Sequence, residues 1–409
     1  MAKQPEPTRK AHWARQAIVL LALLLAWTSI TQAGSMAFQS RSPALALRFD
    51  AGNPVALIRA AKADITAGVD TGDGGERAIS AASRSIAQNP LNADAFGLYG
   101  LINMANADDE TVSRQVIMAD RLSRRDLSTQ LFLIEDSVRR NDVAEALRHY
   151  DSAMRASEGV RPTLFAILAK AMREPAIRKR FMPYMTASNP WLEAFFRYAT
   201  ANPSDSTAVA QLAIEADGLP DGALYDRKVS ELLSLLVQQQ EYDTARRLYL
   251  KAGDGDPELL TDAAFTDANT DQLLMPITWQ PSVYGDIDPL FVVARDGTLE
   301  FEARIASGFT GYVLQKLFML PPGSYTLSGS ARAEGEIPAD KLLIQATCAS
   351  ADGRTFILDE RRDMGEDEAY RAAFTVPQGC PYQMVSYAVD TQARTSDLVL
   401  MLSSPTITR

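Results

Sequence analysis

Histidine and cysteine are nearly missing from this chain, with two of each in 409 residues. His12 lies in a basic N-terminal tail, and His149 sits beside Tyr150 in a segment of helical periodicity. A Ser-His-Asp triad, a Cys-His pair or a histidine-rich metal centre needs a better-placed imidazole. Cys348 and Cys380 both fall in the C-terminal part, too few for a four-thiolate zinc site. Catalytic residues are therefore assigned nowhere, and the expectation is a protein that is not an enzyme. Cations are also in deficit: 41 Lys and Arg against 51 Asp and Glu give a formal net charge of −10. That balance argues against nucleic acid as a partner, because phosphate binding needs clustered cations.

What is present divides along the chain, whose length suggests two or three domains. Residues 1–16 form a basic tail containing Lys3, Arg9, Lys10 and Arg15. Residues 17–38 follow without a charge, and none occurs between Arg15 and Arg41. The apolar run Ala17–Trp27 is short enough for a signal peptide with Thr31-Gln32-Ala33 as its cleavage site. The uncharged stretch as a whole is long enough to span a bilayer, with Trp27 and Phe38 as interface anchors. Either alternative leaves the basic flank in the cytoplasm and exports the remainder. The expected location is thus a single-pass inner-membrane protein with its bulk in the periplasm, or a periplasmic protein released by cleavage.

Residues 53–268 read as successive amphipathic helices with a 34-residue repeat. At that spacing Ala78, Val112 and Ala146 align, as do Ala82, Val116 and Tyr150, and then Ser85, Ala119 and Ala153. On the preceding helices Ile65, Tyr99 and Leu133 align, followed by Thr66, Gly100 and Ile134. A further copy holds Ala245, Tyr249, Ala252 and Pro257. Small residues on either side of an aromatic let one helix of a hairpin pack closely on the other, and hairpins that cannot bury their apolar faces alone must stack. The pattern resembles the tetratricopeptide repeat, although Arg124 and Glu158 stand where proline is usual and residues 161–225 lose the register. The resemblance implies an α-solenoid that binds protein partners, here in the cell envelope. Asn103 and Arg114 are positioned to line its groove.

Over residues 275–409 the period changes to alternation. Segments such as TLEFEARI, GYVLQKLFML, SYTLSGSARA, KLLIQATC and YQMVSYAV are bounded by Gly, Pro, Asp and Ser clusters, which predicts an antiparallel β-sandwich. The run Gly311–Arg332, an apolar strand ending in Pro-Pro-Gly and followed by Ser-Tyr-Thr-Leu-Ser, resembles an element of jelly-roll carbohydrate-binding modules of families 4 and 9. That resemblance implies polysaccharide as a partner. A sugar needs aromatic faces for its C–H surface and polar groups for its hydroxyls. Trp279, Tyr284, Phe309 and Tyr312 are the candidate rings, and Gln315 and Arg332 the candidate polar groups. Cys348 and Cys380 are expected to form a disulfide in an oxidising compartment.

The acidic stretch Asp359–Glu368 reads as a solvated hairpin loop of mixed charge, and Tyr284–Asp288 as a turn. Gly72–Gly75 lacks the Lys-Ser/Thr of a phosphate loop and fits an inter-helix turn. No cofactor or metal site is assigned, with structural Ca²⁺ left as a minor alternative. The expected function is an envelope adaptor or scaffold, in which the array holds protein and the sandwich binds glycan, in surface-polysaccharide synthesis or export. Two alternatives stand beside it. One is a carboxylate-based glycan-processing enzyme using Asp286, Asp288, Glu366 and Asp367, and the other a structural scaffold whose sandwich only caps the array.

Overall fold

The computed structural model describes residues 9–66, 74–103, 110–252, 255–334, 341–350, 353–363, 368–391 and 396–409. The Gly72–Asp73 part of the glycine turn, Glu366 and Asp367, and the side chains of His12 and Ala252 lie outside them. The chain forms two compact units, Met1–Leu164 and Phe165–Arg409. The division falls inside the helical series, so the later helices belong to the same unit as the sandwich.

The first unit opens with α1 (Arg9–Phe38), whose Arg15–Phe38 portion is long and apolar enough to cross a membrane, with mean hydropathy 1.8 over an 18-residue stretch that is not buried in the protein. Its two threonine hydroxyls bond within the helix: Thr28 donates to the Leu25 carbonyl and Thr31 to that of Trp27, both at 3.0 Å. That suits a helix with no water to bond to. Its last turn packs on α2 (Pro43–Phe49), where Phe38 stacks on Phe49 at 6.0 Å. Ser35 is buried there and accepts a hydrogen bond from Asn53 Nδ2 at 2.8 Å.

Helices α3 (Pro54–Thr66), α4 (Gly74–Gln88), α5 (Ala93–Ile102), α6 (Glu110–Leu122), α7 (Leu127–Arg139) and α8 (Val143–Ala156) follow as three hairpins. The 34-residue spacing is visible in their burial. Ala78, Val112 and Ala146 are buried at equivalent places on the second helices, as are Ala82, Val116 and Tyr150, and Ser85, Ala119 and Ala153. Tyr99 packs partly buried between the first two hairpins. Gly100 permits the close approach: a Cβ there would lie 2.1 Å from Val116 Cγ2. Asp126 caps α7, accepting from the Thr129 amide at 2.8 Å and from Lys62 Nζ at 3.1 Å.

Helix α9 (Arg161–Ala171) crosses between the units. The second unit continues with α10 (Pro175–Phe181), α11 (Leu192–Ala201), α12 (Pro203–Glu215), α13 (Ala223–Gln238) and α14 (Tyr242–Ala252). Phe165, Phe181, Trp191 and Phe195 form an aromatic core there, with centroids 5.7–6.4 Å apart. Ala245 and Tyr249 are fully buried on α14, and the Tyr249 hydroxyl donates to the Asp256 carbonyl at 3.0 Å. Burial and the nearby Asp256 charge push that phenol up to about 12. Helices α7, α12 and α13 end alike: Asn141, Asp217 and Gln240 have φ of 55°, 56° and 63°. The following amide in each case reaches back to an earlier carbonyl, a Schellman closure.

The sandwich has two antiparallel sheets. One is ordered β1 (Gln280–Pro281), β4 (Thr310–Phe318), β9 (Gln383–Asp390), β6 (Lys341–Ser350) and β7 (Gly353–Asp363). The other runs β11 (Thr406–Thr408), β5 (Gly323–Glu334), β10 (Leu398–Ser403), β3 (Leu299–Ile305) and β2 (Ile287–Val293), with β8 (Glu368–Val376) also on β5. Phe301, Leu314, Phe318, Leu327, Ile344, Tyr387 and Leu400 fill the space between them. In that core the Tyr370 and Tyr387 hydroxyls meet at 2.7 Å, and Gly329 leaves room for the Tyr370 ring. The Gly311–Arg332 element carries the chain from one sheet into the other. Cys348 and Cys380 are bonded and close a loop of sequence separation 32, contributing about 3–4 kcal/mol by the chain-entropy model.

Two readings need correction here. Asp359–Asp363 is not part of a loop but the end of strand β7, at the edge of its sheet. Its charges are those an exposed edge carries to avoid pairing with another chain. Ile287–Val293, read in part as a turn, is strand β2.

Candidate functional site

Paired residues of an antiparallel sheet point to the same face. On the sheet containing β4, that rule assembles one polar row across all five strands. Gln280 lies opposite Gln315, Gln315 opposite Ser386, Ser386 opposite Gln345, and Gln345 opposite Asp359. The strand neighbours of these central residues, Leu314, Val385, Tyr387, Ile344 and Ala346, are core residues, so the row lies on the sheet's outer face, where Ser386 and Gln345 are themselves buried, Gln280 and Gln315 half-buried and Asp359 exposed. Gln315 Nε2 donates to Gln280 Oε1 at 3.0 Å, and Gln345 Nε2 to Asp359 Oδ1 at 2.9 Å.

Rings flank the row at opposite corners. On one side Tyr312, 40% exposed, faces Ala388, and beyond it lie Leu343 and Arg361. On the other, Phe356, 51% exposed, stands opposite Thr347. A bulge between Tyr312 and Leu314 re-aims the start of β4.

Helix α14 and the end of α13 cover the far part of this face. Tyr242 stacks on Tyr382 at 5.2 Å, the Tyr382 hydroxyl donates to Asp243, and Leu317, Ala349 and Met384 are buried beneath. Where the helices meet the row they leave a pocket of about 240 Å³ that takes in Gln280, Gln315 and Tyr284, together with Gln238 and Gln240.

The sequence candidates divide on this geometry. Tyr284 (74% exposed), Tyr312 and Gln315 are brought to one face. Trp279 is not available to a ligand and must be withdrawn as a sugar platform. It is fully buried, packs on Phe265, Phe318 and Tyr387, and donates Nε1–H to the Ala263 carbonyl at 2.9 Å. Phe309 lies half-buried against the core, with its ring over Gly311. Arg332 is exposed on the other sheet beside Met401, remote from the row by topology. Gln280, Gln345, Ser386 and Phe356 are not among the sequence candidates, and Asp359 enters there only as the start of the acidic stretch. Gln345 carried a signal, a lone amide inside the apolar strand Leu342–Ala346.

Of the carboxylates weighed for glycan processing, Glu366 and Asp367 lie outside the described residues. Asp286 and Asp288 are exposed at the edge strand β2 of the other sheet. Asp94 and Asp126 do interact, and burial together with the hydrogen bond to Asp126 raises Asp94. Burial opposes ionisation of Asp126, but its hydrogen bonds with Asp94 and Thr129 and the Lys62 charge hold it below the usual range. This pair is wedged between helices, where a Cβ on Gly97 would lie 2.0 Å from Asp126 Oδ2. Among the described residues, no group of three His, Cys, Asp or Glu is placed to hold a metal ion.

In the first unit, α6, α7 and α8 line a cleft of about 770 Å³ containing Arg121, Asp136, Arg139, Glu145 and Arg148. His149 is buried at its wall, with Nδ1 2.7 Å from Gln130 Oε1, and Gln130 Nε2 donates to Asp120 at 2.9 Å. Arg148 pulls the Glu145 carboxyl down to about 2 through its hydrogen bonds.

No protein-family model matches the chain, and no curated protein matches it. Solved structures similar to it include a family 4 carbohydrate-binding module, at 12% identity and a TM-score of 0.24, covering 30% of this chain and 90% of that one. A family 61 module in complex with β-1,4-galactotriose matches at 13% identity and a TM-score of 0.24, covering 32% and 88%. The N-terminal cellulose-binding domain of β-1,4-glucanase C from Cellulomonas fimi matches at 14% identity and a TM-score of 0.22, covering 32% and 89%.

Proposed function

We propose that this chain is a non-catalytic scaffold of the cell envelope whose β-sandwich binds glycan on the outer face of the β4–β9–β6 sheet. The observation that carries this reading is the polar row from Gln280 to Asp359, flanked by the open rings of Tyr312 and Phe356. Amides offer both donors and acceptors to hydroxyl groups, and the rings offer apolar faces to C–H surfaces. The paired helices, read as tetratricopeptide-like, serve protein partners through the cleft between α6 and α8. The apolar α1 holds the protein in the inner membrane, because its last turn is packed into the fold at Ser35 and Phe38. The periplasmic side and a role in polysaccharide synthesis or export follow from the basic flank and from the pairing of an array with a glycan-binding domain.

The test is binding of the full chain, in lipid nanodiscs, to a microarray of bacterial and plant glycans. Binding to one glycan class that falls at least tenfold with Gln315→Ala supports the proposal. A folded chain that binds no glycan contradicts it.

A further inference from the structure

The depth of α2 is set by α1. At 1.5 Å per residue the helix rises about 28 Å from Arg15 to Gly34, close to the ~30 Å of a bilayer's hydrocarbon core. With Arg15 at one boundary, Gly34 therefore stands at the other. Phe49, the last residue of α2, packs on that glycine: a Cβ there would lie 2.9 Å from Phe49 Cδ1. The same ring stacks on Phe38 with the two planes inclined by only 9°. Asn53, after α2, is tied to α1 as well. Its Nδ2 donates to Ser35 Oγ at 2.8 Å and to Gln39 Oε1 at 3.3 Å, while its Oδ1 accepts from the Ala56 amide at 2.9 Å. Held at both points, α2 cannot swing away from α1, and a bilayer crossed by α1 meets α2 at headgroup level.

The side chains around α2 suit that level. Ala46 is buried against the fold, and Phe38 and Phe49 stay partly exposed. Arg41, Ala44 and Arg48 are exposed. Among the described residues neither Arg41 nor Arg48 is held in an ion pair, whereas Arg59, also exposed, donates to the Ser40 carbonyl at 3.3 Å. Asp50, the acidic residue that follows α2, is occupied by the Gly52 amide at 2.9 Å. Guanidinium groups form paired hydrogen bonds with phosphate oxygens, and aromatic side chains are enriched at the membrane–water boundary.

We infer that α2 and the turn before it form a lipid-binding surface, with Phe38 and Phe49 at the acyl boundary and Arg41 and Arg48 on phospholipid phosphates. This rests on the reading of α1 as a membrane anchor, and adds that the first helices are seated in the headgroup layer instead of hanging from a loose tether.

Because Cys348 and Cys380 are bonded to each other, a nitroxide can be placed on a single introduced cysteine. The label is compared at Ala44→Cys, at Leu24→Cys in α1 and at Val138→Cys on the exposed surface of α7. The full chain is held in nanodiscs of phosphatidylglycerol and phosphatidylcholine. Collisional relaxation is measured with oxygen, which concentrates in lipid, and with a water-soluble nickel complex; burial in protein lowers both, and burial in lipid lowers only the second. Nickel access at Ala44 should be about threefold below that at Val138, with oxygen access undiminished. Arg41→Gln with Arg48→Gln should raise nickel access at Ala44 about twofold. If Ala44 is as open to nickel as Val138, or is closed to both reagents, while Leu24 lies in lipid, the lipid surface is wrong and the anchor stands. Shielding at Ala44 that the arginine changes leave untouched overturns the phosphate contacts. If Leu24 is open to nickel, anchor and surface both fall.

Discussion

Tyr242 of α14 stacks on Tyr382, just before β9, with centroids 5.2 Å apart and rings inclined by 27°. Asp243, next along the helix, accepts a hydrogen bond from the same Tyr382 hydroxyl. Helix and sandwich are thus joined by a buried aromatic pair with a charged hydrogen bond at its rim. Truncating Tyr242 to alanine removes a ring and bares Leu317 and Met384, so the loss should be about 3 kcal/mol, typical of aromatic-to-alanine changes in cores. Denaturant unfolding followed by aromatic fluorescence would check this; an unchanged midpoint would mean that the contact adds nothing.

Lys316 is a second fastener in the same unit. It is fully buried, and its ammonium donates to the Leu259 carbonyl and Asn269 Oδ1 at 2.8 and 2.7 Å, and to the Ile277 carbonyl. Burial pushes its pKa down to about 7. Lys316→Met keeps the length but leaves three acceptors unpaired, so a loss of about 3 kcal/mol is expected. The linkage sign is set by the unfolded chain, which holds the proton up to ~10.4. From about pH 7 to that value the unfolded state binds more protons, so this group makes stability rise with pH. The rise should vanish in Lys316→Met, as measured by thermal unfolding in matched buffers.

Much of this architecture was legible in the sequence because it is written in local periods. The buried small residues at Ala78, Ala119, Ala146 and Ala153 recur at a helical spacing, and Phe301, Tyr325 and Leu327 alternate with polar neighbours. The candidate site was less legible, because cross-strand register brings Gln280, Gln315, Ser386, Gln345 and Asp359 together from five strands. No local pattern fixes that register. Trp279 misled for a related reason. It stands just before β1, a strand only two residues long and too short for alternation to say which side faces the core.

Gly97 on α5 should resist enlargement. Alanine raises helix propensity by about 1 kcal/mol. Its Cβ, however, would meet Asp126 Oδ2 at 2.0 Å and Thr129 Oγ1 at 2.4 Å, and both are fixed by the cap of α7. Overpacking typically costs about 1–3 kcal/mol, so Gly97→Ala should be net destabilising. A raised unfolding temperature would show that the helices can move apart.

His149 should make the helical hairpins acid-sensitive. Burial and the neighbouring Arg148 lower its pKa below 6.5, opposed by Glu145 and Asp120. The Gln130 carbonyl oxygen faces Nδ1, which places the proton on that nitrogen and leaves Nε2 to accept from Arg148 at 3.0 Å. Between the folded pKa and ~6.5 the unfolded chain alone takes up the proton, so stability falls as pH drops through that window. Glu145, held at about 2, does not titrate there. From about pH 7 to pH 5, His149→Gln should lose stability less steeply than the unaltered chain. Parallel slopes would place the sensitivity elsewhere.

Glycan binding by the sheet face is tested most directly by titrating the full chain in nanodiscs with its strongest microarray glycan, beside Tyr312→Ala and Arg332→Ala. Tyr312 flanks the polar row, and Arg332 lies on the other sheet. Expected is a loss of at least tenfold for Tyr312→Ala and no change for Arg332→Ala. Equal losses, no loss at Tyr312, or a folded protein that binds no glycan would contradict it.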